Sequence, residues 1–305
     1  MKKVKVWIEA MRLRTLPVSI AGVLAGLAMA IMLPAEKSFS LCTAVLCVVF
    51  AVLAQVASNF ANEYYDYVGG LDRRGREGPR RGVTEGDISP RAMLLATWGT
   101  LAAACLVGLA IAWIGGWWLI AVGVFVAVGV FAYSAGPYPL SHHGLGEIAV
   151  VVFYGIIPVN FTYYVVTGTF AAETLWTSIA FGLMGANVLI VNNYRDYDDD
   201  RAVKKRTLAV LAGRRFSAYL YLINGVLAFF IMEGIFARWQ ASFSASTSVA
   251  AAWITRIPFF YICLHIILFS MLTRREGARL NPFLGMTAML MAAFALAALI
   301  LLVCS

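Results

Sequence analysis

Charged side chains are scarce in this chain of 305 residues. Asp, Glu, Lys and Arg together make up 13% of it, and 61% of its residues are hydrophobic. A soluble globular protein carries about 25% charged residues. The composition therefore excludes an ordinary soluble domain and indicates a protein that crosses a lipid bilayer several times.

Cysteine and histidine are also few, with five and three copies. No two cysteines form a CxxC pair, and no His-rich segment lies near them. This spacing argues against a disulfide framework and against a thiolate metal site. The five cysteines are expected to be small apolar packing residues, and they are Cys42, Cys47, Cys105, Cys263 and Cys304.

Long polar linkers are absent, which favours a single domain over residues 1–305. Instead the chain contains about nine apolar stretches of the roughly 20 residues that a helix needs to cross the hydrocarbon. The first stretch is longer and starts later than a secretion signal, so we expect it to be retained as a span. The pattern predicts an all-α polytopic membrane protein with spans at approximately 16–34, 41–66, 92–113, 117–136, 146–166, 174–196, 215–235, 250–272 and 282–303.

The basic residues are distributed unevenly between the two sides of these spans. With the N-terminus inside, 21 of the 24 Lys and Arg residues fall in inner segments, and only Lys37, Arg238 and Arg256 fall in outer ones. Short cytoplasmic loops carry such an excess, so the N-terminus is predicted to be cytoplasmic and the C-terminus outside. The same loops explain the net charge of +8 without a nucleic-acid partner.

Acidic residues gather at the inner ends of two spans. The second span ends in "NEYYDYVGGLD", residues 62–72, where Asn62 and Asp66 are four apart and share one helix face. Gly69 and Gly70 are expected to end that helix and let Asp72 turn back toward it. Ionisable groups at membrane depth usually mark function.

The sixth span ends in "NNYRDYDDDRAVKKRTLAV", residues 192–210, where Asp196 and Asp200 are again four apart. Both spans run from outside to inside, so both acidic clusters reach the cytoplasmic face. Carboxylate and amide oxygens suit Mg²⁺, which normally uses one or two carboxylates together with substrate phosphate oxygens. Two such clusters predict a site that holds a diphosphate between metal ions.

Basic residues follow each cluster and could neutralise that diphosphate. They could equally be ordinary positive-inside loop residues, and the same alternative holds for Arg14 before the first span. A third inner loop, "YSAGPYPLSHHGLGEI", residues 133–148, contains His142 and His143, which we expect to be exposed loop residues. Glu147, at the start of the fifth span, either caps the helix or faces the site.

These three segments, together with "GPRRGVTEGDISP" at 78–90, resemble the UbiA superfamily of intramembrane prenyltransferases over nearly the whole chain. The N-x-x-x-D-x-x-x-G-x-D form of the first motif and the "KRTLAV" ending of the second are most similar to the branch that prenylates 1,4-dihydroxy-2-naphthoate for menaquinone synthesis. The resemblance implies helices around a central cavity, open to the cytoplasmic face and laterally to lipid, in the bacterial inner membrane. It also implies Mg²⁺-dependent transfer of a polyprenyl chain from its diphosphate, with loss of pyrophosphate and CO₂.

The roles of the superfamily's residues carry over to matching positions. Asn62, Asp66 and Asp72 resemble the first Mg²⁺–diphosphate motif, and Asp196 and Asp200 resemble the second. The expected catalytic groups are Asp66, Asp196, Arg80 and Lys205. Further contacts with substrate are expected from Asn62, Arg80, Arg81, Lys205, Arg206, Tyr133, Asn192 and Arg14.

Three other functions compete with this interpretation. A prenyltransferase for 4-hydroxybenzoate, homogentisate or a haem vinyl group would share the diphosphate site, and the motifs disfavour it only moderately. A phosphatidyl-alcohol transferase would need a D-G-x-x-A-R type motif, which the sequence lacks. A transporter would place its charges near the bilayer midplane, whereas here they lie at one face, apart from Glu233. The sequence does not specify the oligomeric state or the prenyl chain length.

Overall fold

A computed structural model of the chain describes residues 2–33, 40–242 and 249–305. The last residue of the predicted first span and Lys37 of the predicted outer loop lie outside these residues. All secondary-structure elements in the described ranges are helices. The α-helices are α1 (Lys2–Ala10), α2 (Leu16–Met32), α3 (Leu41–Val68), α4 (Pro90–Gly115), α5 (Leu119–Ala132), α6 (Gly146–Val150), α7 (Ile157–Thr167), α8 (Ala172–Arg195), α9 (Tyr197–Ala202), α10 (Leu208–Ser242), α11 (Val249–Ile254), α12 (Ile257–Leu272) and α13 (Asn281–Val303).

Within this described part, seven helical segments are long and apolar enough to cross a membrane, and α2 and α5 are shorter apolar helices. The prediction of an all-α membrane protein with about nine helices is thereby confirmed. One of the seven segments runs from α6 through a π-helical stretch, Val151–Ile156, into α7.

Two helices differ from the predicted spans at their inner ends. The fourth span was expected to reach residue 136, but α5 ends at Ala132 and the chain turns through Gly136, whose φ of 90° suits glycine. The seventh span was expected at 215–235, but α10 covers Leu208–Ser242 with a break at Gly213. The added inner turn carries Arg214, which stacks on the Tyr197 ring at 4.8 Å.

The largest apolar core lies among α2, α8, α10, α12 and α13. Small residues allow the closest helix contacts, as expected inside membranes. A Cβ atom on Gly155 of the π-helical stretch would lie only 2.4 Å from the Ser178 carbonyl oxygen and 2.5 Å from the Gly182 Cα of α8. On the other side, α3 packs against α4 and α5. This arrangement brings the inner ends of α3 and α8 toward each other.

Candidate active site

The first acidic cluster lies where α3 ends. Asn62 donates from Nδ2 to Asp66 Oδ2 at 3.2 Å and to Ser134 Oγ at 2.9 Å. The helix ends at Gly69, Gly70 adopts a φ of 67°, and the Asp72 amide donates back to the Asp66 carbonyl oxygen at 3.3 Å. The expected reversal of the chain at the two glycines is confirmed, and it buries the Asp72 side chain beside the helix end.

The second cluster forms the turn between α8 and α9. Asp196 follows the last residue of α8 and is 1% exposed, and the Asp200 amide donates to its carbonyl oxygen at 2.8 Å. Arg195 binds both carboxylate oxygens of Asp196, from Nε at 2.7 Å and from a terminal nitrogen at 2.8 Å. The same guanidinium also reaches Asn192 and Asn281. Asp196 is therefore held in one orientation by α8 and α13 together.

Basic side chains connect the two clusters. Arg76 binds Asp72 at 2.5 Å with one terminal nitrogen and Asp196 at 2.8 Å with the other. Lys205 Nζ binds Asp66 Oδ2 at 3.0 Å. The carboxylates that the sequence placed on two separate spans thus lie around one ionic centre.

The charges of this centre set the pKa values of its members that lie outside the membrane-spanning segments. Burial disfavours the ionised form of Asp196, but the hydrogen bonds and charges of Arg195 and Arg76 outweigh it and hold the pKa below its usual value. At Asp200, burial and the Asp196 charge outweigh the charges of Lys205 and Arg76, and they raise its pKa to about 7. The carboxylates outweigh burial at Lys205 and raise its pKa.

A cavity of about 440 Å³ opens from the ionic centre into the helix bundle. Its ionic end is lined by Asn62, Asn192, Asp196, Asp200 and Lys205. Farther in, apolar side chains of α3, α4, α5 and α7 form the wall, among them Phe50, Leu109, Ile120, Phe161 and Val165. The shape suits a ligand with an anionic head and an apolar tail.

Three arginines line the ionic end with N–H groups that remain unused. Arg12, Arg76 and Arg81 each contribute to the cavity wall. Each has at least one buried guanidinium nitrogen without a hydrogen-bond partner among the described residues. Because a buried unpaired donor costs about 1–3 kcal/mol, these groups favour an anion that accepts several hydrogen bonds at once.

The third inner loop contributes directly to the site. His142 Nε2 lies 3.2 Å from Asp66 Oδ1, and its side chain is only 16% exposed. His143 donates from Nδ1 to the Pro139 carbonyl oxygen at 2.8 Å and stacks on Tyr138. The expectation that both histidines are merely exposed was wrong, because the turn after α5 folds the loop back against α3.

The remaining basic residues singled out in the sequence lie in different places. Arg81 is buried, and its Nε lies 3.4 Å from Asp72 Oδ2. Arg80 pairs instead with Asp87, and about half of its side chain is exposed. Arg14 and Arg206 are exposed, and neither they nor Arg80 belong to the cavity wall. Tyr133 does line the cavity.

The sequence motifs did not identify three members of the site, Arg12, Arg76 and Arg195. Arg76 lies four residues after Asp72, and Arg195 lies directly before Asp196, so their neighbours were recognised. A basic residue in an inner loop is ordinary in a membrane protein. Only the folded positions of the loops distinguish these three arginines from the exposed ones.

The donor set fits Mg²⁺ held jointly with an anionic ligand. Among the residues that the structure describes, no three His, Cys, Asp or Glu side chains are grouped closely enough to form a metal site by themselves. The buried Asp72 Oδ2 accepts no hydrogen bond there, and its ion-pair contact is Arg81 Nε at 3.4 Å. Mg²⁺ commonly takes one or two carboxylates and completes its shell with water and phosphate oxygens, which matches the oxygen ligands present here.

The fold and the site define a class of protein, namely a helical membrane protein with an ionic cavity for an amphipathic anion. The chain belongs to the UbiA prenyltransferase family, whose model matches residues 21–263. Two solved structures share the fold. A UbiA homologue from Archaeoglobus fulgidus, bound to DMAPP and Mg²⁺, aligns with a TM-score of 0.63 at 17% identity over 96% of this chain and 99% of its own. The apo UbiA homologue from Aeropyrum pernix gives 0.69 at 15% identity over 94% and 98%.

Curated relatives have a higher sequence identity to this chain than those two solved structures have. The 1,4-dihydroxy-2-naphthoate octaprenyltransferase of Mycobacterium tuberculosis is 37% identical over 74% of this chain and 77% of its own length. The proteins of the same name from Haemophilus influenzae and Escherichia coli are 34% and 33% identical. Those two alignments cover 70% and 78% of this chain and 70% and 80% of the relatives.

Proposed function

We propose that this protein transfers a polyprenyl chain from its diphosphate to 1,4-dihydroxy-2-naphthoate, with loss of diphosphate and CO₂, giving demethylmenaquinone in its reduced form. The single observation that carries the proposal is the ionic end of the cavity, where Arg12, Arg76 and Arg81 keep unused N–H groups above an apolar chamber. An isoprenoid diphosphate has the matching anionic head and apolar tail. The names of the bacterial relatives support the choice of acceptor.

The reaction balances without an oxidant or a reductant. The allylic C–O bond breaks, and its electron pair leaves with the diphosphate. An electron pair of the naphthoate ring forms the new C–C bond, and the ring regains its aromaticity when the carboxylate departs as CO₂. The protein therefore has to stabilise the leaving diphosphate, hold the ring against the allylic carbon and exclude water from the cation.

Stabilising the diphosphate is assigned to Arg76, Arg81 and Lys205 at the ionic end, with Arg12 beside them. Preorganised cations of this kind favour a transition state in which negative charge develops on the leaving group. The sequence motifs predicted contact with the diphosphate for Arg80 and Arg206 as well. Those two residues are exposed. Direct contact with the diphosphate is therefore expected from Arg76, Arg81 and Lys205 and not from Arg80 or Arg206.

The side chains that would hold Mg²⁺ together with the diphosphate are those of Asn62, Asp66, Asp72, Asp196 and Asp200. A bound Mg²⁺ would supply positive charge that favours departure of the diphosphate. Among these side chains, Asp66 is paired with Lys205, and Asp72 and Asp196 are both paired with Arg76. Asp196 is also paired with Arg195. Binding of the metal and the diphosphate therefore exchanges ion pairs within the protein for ion pairs with the ligand.

The membrane context completes the proposal. The chain forms one domain over residues 1–305 in a bacterial inner membrane, with the N-terminus and the ionic end of the cavity cytoplasmic and the C-terminus outside. The prenyl tail occupies the apolar chamber, which opens laterally to lipid. This placement follows the distribution of Lys and Arg.

The test is an acceptor panel with the protein purified in detergent. We expect product by mass spectrometry from geranylgeranyl diphosphate and 1,4-dihydroxy-2-naphthoate in the presence of Mg²⁺, and none with 4-hydroxybenzoate or homogentisate. Product from another acceptor alone would support the diphosphate site but contradict the assignment of the naphthoate as acceptor. Absence of product with every acceptor, from protein that elutes as a folded particle, would reject prenyl transfer altogether.

A further inference from the structure

Glu147 places a carboxylate in the cavity wall beyond the ionic centre. It is the second residue of α6, 7% exposed, and lines the cavity together with Asn193 and Tyr133. A carboxylate at this depth is costly unless it is used. None of the contacts assigned above to the diphosphate involves it.

The two oxygens of Glu147 have different surroundings. Asn193 of α8 donates from Nδ2 to Oε1 at 2.9 Å, which fixes the direction of the carboxylate. Oε2 is buried and has no hydrogen-bond partner among the described residues. A buried acceptor left without a donor costs about 1–3 kcal/mol, so the structure holds one oxygen in place and leaves the other for a donor that the protein does not supply.

The neighbouring elements also place aromatic side chains in the wall of this cavity. The π-helical stretch begins at Val151, directly after α6, and presents Phe153 and Tyr154 to the cavity. Single π-helical turns are frequent at functional sites. Gly146, beside Glu147, lies close to the Tyr133 hydroxyl, since a Cβ atom there would be 3.6 Å from it. Aromatic side chains and a carboxylate therefore line the same cavity.

We infer that Oε2 of Glu147 accepts a hydrogen bond from a phenolic hydroxyl of the aromatic acceptor and so holds the ring for attack on the allylic carbon. This inference rests on the proposed prenyl transfer and adds the side chain that binds the aromatic acceptor. The hydroxyl next to the ring carboxylate is the group concerned. Its proton passes to Glu147 as the ring carbon forms the C–C bond, and it returns to that oxygen once CO₂ has left, so no net proton is consumed.

Two ligands that differ by one hydroxyl test the contact directly. We would measure the inhibition constants of 1-hydroxy-2-naphthoate and 2-naphthoate for the wild type and for Glu147→Gln. In the wild type the hydroxyl should tighten binding about 10- to 100-fold, as expected for a hydrogen bond to a charged group. In the variant this ratio should fall close to one, because glutamine preserves the volume but removes the charged acceptor.

Kinetics with the reacting substrates provide the second readout. Glu147→Gln should lower kcat/KM for the naphthoate while KM for the prenyl diphosphate stays within about twofold, because the diphosphate residues are untouched. Glu147→Asp should recover part of the loss. The matched control is Glu173→Gln, the same change in the first turn of α8, at the end of that helix opposite Asn193.

The outcomes separate this inference from the proposed function. An equal hydroxyl ratio in the wild type and in Glu147→Gln, from protein that makes product, would overturn the Glu147 contact alone. A wild type that makes no product from the naphthoate would overturn the proposed function. Failure of both naphthoates to bind the wild type would overturn the contact as well.

Discussion

At the scale of single residues, three buried carboxylates of the ionic centre, those of Asp66, Asp72 and Asp196, are matched by cations. Asp66 meets Lys205, and Asp196 meets both Arg195 and Arg76. Removing one partner of a buried pair leaves an uncompensated charge, which costs about 3–5 kcal/mol. Substitutions here are therefore expected to affect stability as well as chemistry, and each needs a control in the same segment.

Asp196→Asn should lower kcat at least about 100-fold, because it removes a proposed metal ligand and the charge that orients Arg76. The measurement is prenylated product per minute, from protein that elutes as a single folded peak. Asp198→Asn is the control, since its side chain is 75% exposed and pairs with Arg214 at the surface. A kcat for Asp196→Asn within about threefold of the wild type would contradict the assigned role.

Arg76→Gln should raise KM for the prenyl diphosphate and lower kcat, together reducing kcat/KM about 100-fold, because Arg76 both faces the cavity and links the two clusters. Arg74→Gln, two residues away and exposed, is the matched control. Arg80→Gln distinguishes the sequence-based expectation from the structural one. A larger effect at Arg80 than at Arg76 would show that the loop rearranges when diphosphate binds.

At the scale of helices and loops, apolar length and charge spacing predicted much of the structure. The spans, the two acidic helix ends and the reversal at Gly69 and Gly70 follow from local sequence. The contact of His142 with Asp66 does not, because it joins residues 76 positions apart through the path of a loop. Arg76 and Arg80 cannot be distinguished by local sequence for the same reason.

Gly155→Ala should destabilise the protein by about 1–3 kcal/mol, because its methyl group would overlap α8 backbone at Ser178 and Gly182. Thermal unfolding in detergent, followed by loss of the monodisperse elution peak, measures the effect as a lower midpoint temperature. Gly99→Ala in α4 is the control, since its added Cβ would have no described atom within 4 Å apart from its chain neighbours and the backbone of its own helix. Equal midpoints for the two variants would mean that this helix contact is looser than described.

At the scale of the whole molecule, the distribution of charge predicts orientation. Short segments at the ionic end carry most of the Lys and Arg, so this end should face the cytoplasm. In a variant that retains Cys304 as its sole cysteine, a membrane-impermeant maleimide should label intact spheroplasts. A cysteine introduced as Arg201→Cys in a second variant, which lacks all five native cysteines, should react only after lysis, and the reverse pattern would invert the topology.

Removal of the metal ion tests the divalent character of the site. Activity of purified protein should disappear in excess EDTA and return with Mg²⁺, because the proposed ligands would hold the diphosphate through a divalent cation. The elution profile of the protein in EDTA should not change, since Arg76, Arg195 and Lys205 compensate Asp66, Asp72 and Asp196 without a metal. Full activity in EDTA would contradict the metal assignment and leave the arginines as the only stabilising cations.

The most direct measurement follows the carboxyl carbon of the acceptor. Naphthoate labelled with ¹³C in its carboxyl group would be incubated with Mg²⁺, geranylgeranyl diphosphate and the purified protein. Labelled CO₂ and unlabelled prenylated naphthoquinol should then form in equal amounts, and Asp196→Asn should reduce both together. Prenylated product that retains the label, or labelled CO₂ released without diphosphate, would contradict prenyl transfer coupled to decarboxylation.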